Sequence, residues 1–428
     1  MNAPAPPAPP TPAPPHAPGG ASTPARPRTL PVQARDWRGL ARLGVDALQG
    51  AATVAEGLHH TIWSLPGPLG AVPAGRTRGL TGLVYRSVQG GLRMAGAGLD
   101  QALALWPATS GNSASGHGPS TPQREAFLAA LNGVWGDHLA ATANPLAIAM
   151  QLRVDGLPWR DALVRPGQPA PRRRVLVLVH GLAMHDGQWL HQGHHHGQAV
   201  AEALGYSVLA LHYNSGRAVA DNGRDFSAQL DKLLADWPVP LEELVLVAHS
   251  MGGLVSRSAI AQGTRRPWRR RLRGLVCLGT PHHGAPLERG GRWVDLALGV
   301  SPYGAPFARL GRSRSAGITD LRFGNVLPRP SARGEQHQDD RPPVPWPRGV
   351  PLFLVGATTA AQAQGLKHQL LGDGLVPLAS ALGEHRQPAL RLRVPDSHRL
   401  VLTQANHWDL LSRQEVTAQL LHWLGRGG

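Results

Sequence analysis

The sequence predicts an α/β fold built on a mostly parallel sheet with helices on both faces. Short apolar runs, continuous rather than alternating, recur along the chain from about residue 149, and amphipathic segments separate several of them. Continuous apolar strands are typical of a sheet that is buried on both sides. The predicted strands are 149–154, 175–179, 207–212, 244–247, 275–278, 352–355 and 390–394, and the predicted helices between them include 197–204, 225–237 and 254–261. In such a sheet the functional residues are expected at the C-terminal ends of the strands.

The composition divides the chain into regions. Residues 1–35 are dense in proline and alanine, which excludes regular secondary structure and predicts a disordered tail. Residues 36–145 are predicted to be a helical N-terminal region, followed by an α/β domain at 146–428. Within that domain, the segment at about 286–348 interrupts the alternation of strands and helices, and we interpret it as a cap or lid insertion.

Two apolar stripes with helical spacing indicate a pair of helices in the N-terminal region. A helical pair that packs on the main domain is the plainer interpretation, and contact with a lipid surface is the alternative. A third helix is predicted at 123–139 after a linker at 107–121. The stripes are Trp37, Leu40, Leu43, Ala47, Ala51, Val54, Leu58 and Ile62, then Leu80, Val84, Val88, Leu92, Ala95, Leu99, Leu103 and Trp106.

The charge and the cysteine content restrict the class of protein. The 428 residues carry a formal net charge of +16, and all but two of the 43 basic residues are arginine, with Lys232 and Lys367 as the exceptions. This skew is typical of GC-rich coding, and the arginines lack aromatic interleaving, so a nucleic-acid partner is not expected. A lone cysteine, Cys277, excludes a disulfide scaffold. Neither a secretory signal nor a long apolar run is evident, so we expect a cytoplasmic protein. Under the alternative of lipid contact, the N-terminal helices would bind peripherally at the inner membrane.

A serine at a sharp strand-to-helix turn is the first catalytic signature. The segment 244–254 reads as a strand, a tight turn and a helix, with Ser250 at the turn. A strained turn of this kind needs small residues two positions before and after the serine, and Ala248 and Gly252 occupy them. The pattern is therefore an A-x-S-x-G variant of the nucleophile elbow, in which alanine replaces the usual first glycine.

The turn after the strand at 175–179 predicts an oxyanion hole. His180 and Gly181 end this strand, and the glycine permits a turn that aims a backbone N–H into the site. The backbone N–H groups of Leu182 and Met251 are the predicted oxyanion donors. We interpret His180 as a residue that packs the turn rather than as a proton carrier.

These motifs, with the segment GTPHHG at 279–284, resemble α/β-hydrolases, in particular bacterial lipases and GPI-inositol-deacylase-like serine esterases. The resemblance covers about 175–411 and implies the chain order Ser, Asp, His for a catalytic triad. Asp373, in GDGLVP, resembles the family's acid, and Asp320 and Asp396 are the rival candidates. His407, in NHWDLL, resembles the family's base. The other histidines after Asp373 are His385, His398 and His422, of which His398 is the fallback.

The resemblance implies a hydrolase of carboxylic esters that forms an acyl-enzyme on Ser250 and needs no cofactor. The expected substrate is a small-molecule or lipid ester with an apolar acyl group. Two alternatives remain open: a depolymerase of intracellular polyester granules, and a non-catalytic binding or adaptor protein on the same fold.

A group of histidines after the oxyanion turn raises the question of a metal. His191 and His195 are four residues apart and would face one ion if they lay on a helix. A rim lined with imidazoles is the favoured interpretation, and zinc is the alternative. The group comprises His185, His191, His194, His195 and His196, with Asp186 as its nearest acidic neighbour in sequence.

Overall fold

A computed structural model describes residues 35–46, 48, 87, 90–91, 94–98, 100–101, 120–285, 315–328, 341–361 and 372–425. The predicted tail lies outside these residues except for Arg35. Most of the predicted linker, much of the two N-terminal stripes and a large part of the predicted cap also lie outside them.

One eight-stranded sheet forms the centre of the described structure, with the order β2-β1-β4-β3-β5-β6-β7-β8. β1 pairs antiparallel with β2 and β4, and every other neighbouring pair is parallel. The sheet is therefore mostly parallel, as predicted. The strands are β1 Gln151–Val154, β2 Leu157–Pro158, β3 Arg174–Val179, β4 Ser207–His212, β5 Glu243–His249, β6 Leu272–Leu278, β7 Leu352–Ala357 and β8 Arg399–Leu402.

Helices cover both faces of the sheet, which confirms the predicted fold class. Alternate residues of β3 belong to two different hydrophobic cores: Val175 and Val177 lie in one with α4 and α5, and Leu176 and Leu178 lie in the other with α3 and α8. Both faces are thus buried, which explains why the strand sequences are continuously apolar. The helices are α1 Pro122–Ala141, α2 Trp159–Leu163, α3 His196–Leu204, α4 Val219–Asp236, α5 Met251–Gln262, α6 Ala316–Phe323, α7 Leu378–Ala381 and α8 Gln414–Gly425.

The strand predicted at 390–394 is wrong, and the edge of the sheet beyond β7 is instead occupied by Arg399–Leu402. Leu392 and Val394 are buried in the core while Arg391 is exposed. The apolar alternation therefore reflects a segment that lies across the core without pairing in the ladder. Pro395, which cannot donate to a ladder, follows it directly.

The described N-terminal residues are helical at 35–46 and pack on α1. Leu40 and Leu43 contact a small core that includes Leu128 and Leu146. A buried ion pair joins Asp36 to Arg124 of α1, with a closest distance of 2.6 Å. No helix among the described residues is long and apolar enough to cross a membrane.

Candidate active site

The turn between β5 and α5 holds Ser250 in a strained backbone conformation. Its φ of 56° and ψ of −126° lie where residues other than glycine are uncommon. The backbone N–H of Ser250 donates to the carbonyl oxygen of Leu278 at the end of β6, at 2.8 Å. A Cβ atom at Gly252 would lie 2.3 Å from the carbonyl oxygen of Val179, so only glycine permits α5 to approach β3 this closely. The local packing thus accounts for the small residue that the motif requires.

The turn after β3 lies directly against Ser250. A Cβ atom at Gly181 would be 3.0 Å from the Cβ of Ser250, which places the backbone of the turn beside the serine. The turn is held because the N–H of Ala183 donates to Ser215 Oγ at 2.9 Å. Within the described part of the chain, the N–H groups of Leu182 and Met251 donate to no backbone oxygen. Both sequence-predicted donors therefore lie close to Ser250 in the fold, one at the neighbouring turn and one as the next residue.

Asp373 and His407 are in direct contact, with His407 Nδ1 2.6 Å from Asp373 Oδ2. The other carboxylate oxygen, Oδ1, accepts hydrogen bonds from the N–H groups of Leu375 and Val376 at 3.0 and 2.8 Å. These two donors orient the carboxylate so that Oδ2 faces the imidazole. Both side chains are buried. A pair of this geometry holds the imidazole with Nδ1 protonated and leaves Nε2 as the basic nitrogen.

The loop after β6 sets the position of the His407 ring. Gly279 has a φ of +60°, and a Cβ atom there would lie 3.1 Å from both Cε1 and Nδ1 of His407. Leu278, the residue before it, is the residue whose carbonyl accepts from the Ser250 N–H. Ser250 and the His407 ring therefore contact consecutive residues, the last residue of β6 and the first residue of the loop that follows. The described structure gives Ser250 Oγ no hydrogen-bond partner, and this atom is fully buried.

His249 contacts His407 and was not among the predicted site residues. Its Nε2–H donates to the backbone carbonyl oxygen of His407 at 3.1 Å, and the two ring centroids are 4.6 Å apart. Burial, together with the neighbouring His407, lowers the pKa of His249 well below the ordinary value, so it is a neutral donor. The sequence signal was limited to its position immediately before Ser250.

The structure brings together Asp373 and His407, and it separates the rival candidates from them. Asp320 accepts from the N–H of Val219, and Asp396 begins a short 3₁₀ helix. His398 lies near the Leu352 carbonyl oxygen, and its ring packs on Phe353. His385 packs beside the ring of His283, and His422 is exposed on α8.

His180 packs the turn after β3, in agreement with the interpretation made from the sequence. Its ring stacks on Tyr213 with centroids 4.4 Å apart, and its Nδ1–H donates to the Gly181 carbonyl oxygen at 2.9 Å. Burial lowers the pKa of His180 to about 3.

The histidines in the group after that turn each make a different structural contact. The shared helix face that the zinc alternative needs is not formed by His191 and His195, because His191 lies in a tight turn paired with His194 and His195 is the N-cap of α3. The N-cap role explains His195, whose Nδ1 accepts from the Gln198 N–H at 3.1 Å. His196 Nε2 donates to the Leu410 carbonyl oxygen at 3.0 Å, which ties α3 to the loop that carries His407.

A different group of ionisable residues is buried between α1 and the sheet. Ligand atoms of Glu125, Asp186 and His212 lie within 4.8 Å of one another. Nη1 of Arg153 donates to both carboxylates, at 3.2 Å to Glu125 and 3.3 Å to Asp186. Although burial acts to raise the pKa of each carboxyl, His212 and Arg153 lower both below the usual range. The guanidinium supplies the positive charge that a metal would otherwise bring, so this group is an ion network.

The serine elbow, the adjacent backbone donors and the Asp–His pair lie at the C-terminal ends of parallel strands. This is the arrangement of the α/β-hydrolase fold. A family model described as a domain of unknown function (DUF7379) matches residues 156–304. Among curated proteins, no relative of the sequence was found.

Solved structures of several hydrolases are similar to this chain at low sequence identity. Lipase BlEst2 of Bacillus licheniformis, in its mature form, is 17% identical, with 64% of this chain and 97% of that chain covered and a TM-score of 0.39. The esterase Pf2001 of Pyrococcus furiosus is 16% identical, with 59% and 82% covered and a TM-score of 0.34. Phospholipase PlaB of Legionella pneumophila is 14% identical, with 49% and 45% covered and a TM-score of 0.33.

Proposed function

We propose that this protein is a serine hydrolase of carboxylic esters, with Ser250 as the nucleophile, His407 as the base and Asp373 as the acid. The observation that carries the proposal is the 2.6 Å contact between His407 and Asp373, in a fold that also holds Ser250 in a strained strand-to-helix turn. These three residue types in this chain order supply a nucleophile, its base and the group that orients the base.

In the proposed reaction, His407 Nε2 removes the hydroxyl proton as Ser250 Oγ attacks the ester carbonyl carbon. Asp373 holds the imidazole and stabilises the imidazolium that forms. The negative oxygen of the tetrahedral intermediate accepts hydrogen bonds from the N–H groups of Leu182 and Met251. The alcohol then leaves with the proton from His407, and water, activated by the same histidine, releases the acid from Ser250.

Labelling with a fluorophosphonate tests the nucleophile. We expect the wild-type protein to be labelled and Ser250→Ala to be unlabelled, with hydrolysis of p-nitrophenyl esters reduced by about 10⁶-fold. Ser256→Ala is the matched control, because Ser256 is a buried serine on α5, the helix that follows Ser250. Folded wild-type protein that takes no label would exclude the enzyme and favour the non-catalytic adaptor.

A series of p-nitrophenyl esters of increasing acyl length tests the substrate class. We propose that apolar acyl or lipid esters are preferred, since the resemblance is to lipases and esterases. A rate that rises with chain length supports this preference, and a rate confined to acetate esters contradicts it. Release of hydroxy acids from polyester granules, with no activity on lipid esters, would favour the depolymerase instead.

We also propose that the protein meets its substrate at a lipid surface, such as the inner membrane. The helical N-terminal region would make the contact with this surface. Trp37, Leu48 and Met94 support this idea, because their apolar side chains are exposed by 58%, 57% and 78%. Sedimentation with phosphatidylglycerol vesicles tests it in a Trp37→Gln, Met94→Gln double variant. Val164→Gln is the control, since Val164 is 83% exposed in another region. Equal vesicle binding by the wild type, the double variant and Val164→Gln would exclude a role for Trp37 and Met94.

A further inference from the structure

A small cavity lies behind the candidate active site, on the side of α5 away from its N-terminus. Its volume is about 30 Å³, which is room for two water-sized spheres or one small ion. Arg257 of α5 lines it and lies seven residues after Ser250, about 10 Å along the helix. The cavity is also lined by His282 and His283 from the loop after β6 and by Arg341.

Among the residues that the structure describes, the positive charge of Arg257 at this cavity has no acidic partner. The residue is 6% exposed, and in the part of the chain that the structure describes its side chain forms a hydrogen bond only with His282. Burial lowers its pKa to about 10, and the positive charge of Arg341 acts in the same direction, yet the guanidinium remains charged near neutral pH. Buried charges in proteins are normally paired, because an isolated one costs several kcal/mol in lost hydration.

Two hydrogen-bond donors at the cavity lack an acceptor among the described residues. Nη1 of Arg257 donates to Nδ1 of His282 at 3.2 Å, so the proton of His282 is on Nε2. Nε of Arg257 and Nε2 of His282 are both buried with no hydrogen-bond partner among the described residues. Two buried N–H donors and a buried positive charge at one cavity require a ligand that accepts hydrogen bonds and is negative.

We infer that the cavity lined by Arg257, His282 and Arg341 binds a small oxyanion. An oxyanion would accept from Arg257 Nε–H and His282 Nε2–H and would neutralise the buried guanidinium. The anion site is separate from the reacting groups, but one of its residues belongs to a loop that positions the proposed base. His282 belongs to the same loop as Gly279, against which the His407 ring packs. Anion binding would therefore stiffen the loop that holds the base.

Calorimetric titration with inorganic phosphate tests this inference, using the full-length protein in a phosphate-free buffer at constant ionic strength. We expect one phosphate per chain and binding weakened at least about tenfold by Arg257→Met, which removes the charge and the Nε–H donor of Arg257 while keeping the apolar stem. Arg270→Met is the matched control, because Arg270 is an exposed arginine, and we expect it to bind phosphate as the wild type does.

A second variant keeps the test decisive if Arg257→Met does not fold. Arg341→Gln removes the other guanidinium at the cavity, and we expect it to weaken phosphate binding by a similar factor. Absence of phosphate binding by the folded wild-type protein would overturn the inference. Equal affinity in the wild type and in every folded cavity variant would overturn it as well. Because the readout is binding rather than hydrolysis, the result is independent of the proposed ester hydrolysis.

Discussion

His249 donates its Nε2 hydrogen to the backbone carbonyl oxygen of His407, with 3.1 Å between the two atoms. His249 ends β5 and directly precedes Ser250, whereas His407 lies on the loop before α8. The bond therefore connects the segment that carries the candidate nucleophile to the segment that carries the candidate base. The bond is buried, and it is made by an imidazole that burial keeps neutral by lowering its pKa.

Replacing His249 by phenylalanine is expected to displace His407 without removing any proposed catalytic group. The carbonyl oxygen of His407 would lose its partner, which costs about 1–3 kcal/mol of stability for a buried acceptor. We expect kcat for p-nitrophenyl esters to fall by about 10- to 100-fold with KM little changed, because misplaced reacting groups lower the rate of the chemical step. Steady-state kinetics with thermal unfolding separates the two effects.

Glutamine at the same position is the control, since its amide N–H lies at a reach similar to that of the imidazole Nε2–H. We expect His249→Gln to recover most of the kcat that His249→Phe loses. Equal losses in both variants would mean that His249 only fills space.

The sequence was sufficient to predict the parts of the site that depend on local geometry. A serine between an apolar strand and a helix requires a small residue at Gly252, and the 2.3 Å approach to the Val179 carbonyl is the physical reason. Asp373 and His407 were selected by resemblance, and the structure places them in contact although 34 residues separate them.

Contacts between distant segments left no pattern in the sequence. Arg257 lies in the apolar helix α5, and no local pattern in the sequence indicates that its guanidinium is buried beside His282. The prediction of a strand at 390–394 was wrong for a related reason. Its alternation reports burial, and burial without a neighbouring strand does not make a ladder.

Gly252→Ala is expected to destabilise the protein because the new Cβ atom would overlap the Val179 carbonyl oxygen. To relieve this overlap α5 must move away from β3, and overpacking of this kind costs about 1–3 kcal/mol. The same movement shifts Ser250, so fluorophosphonate labelling should slow. Urea unfolding and labelling rates check both consequences.

Gly44→Ala is the matched control, because it is also a helical glycine and a Cβ atom there meets nothing within 4 Å. We expect it to raise the free energy of unfolding by about 0.5–1 kcal/mol, since alanine has less freedom to lose. If Gly252→Ala were equally stabilising, the close approach of α5 to β3 would be wrong.

The buried, neutral state of His180 predicts a loss of stability in acid. Its pKa is about 3 in the folded protein, lowered by burial from the value of 6.5 that applies to an unfolded chain. As the pH falls below 6.5, the unfolded state binds a proton that the folded state does not. The free energy of unfolding should therefore decrease by up to about 1.4 kcal/mol per pH unit from this residue until the pH approaches 3.

His180→Asn isolates this contribution, since an amide can still donate to the Gly181 carbonyl but cannot take up the proton. We expect urea unfolding between pH 6.5 and 4 to show a slope smaller by about one proton than that of the wild type. His422→Asn, at an exposed position, should leave the slope unchanged. An unchanged slope in His180→Asn would show that this histidine is protonated in the folded protein.

The ion network of Arg153, Glu125 and Asp186 is expected to serve stability rather than metal binding. Arg153 donates to both carboxylates from a largely buried position, so Arg153→Met removes the guanidinium that the two buried negative charges share. Removing one partner of a buried ion pair costs about 3–5 kcal/mol, and the midpoint of urea unfolding should fall accordingly. A chelator should not change the unfolding midpoint of the wild type, because the guanidinium of Arg153 already donates hydrogen bonds to both carboxylates in the place where a metal would bind them. Arg160→Met is the control, since Arg160 forms an ion pair with Asp236 at the surface, where such pairs contribute little. A wild-type midpoint that drops on chelation, and returns with added zinc, would instead assign Glu125, Asp186 and His212 to a metal.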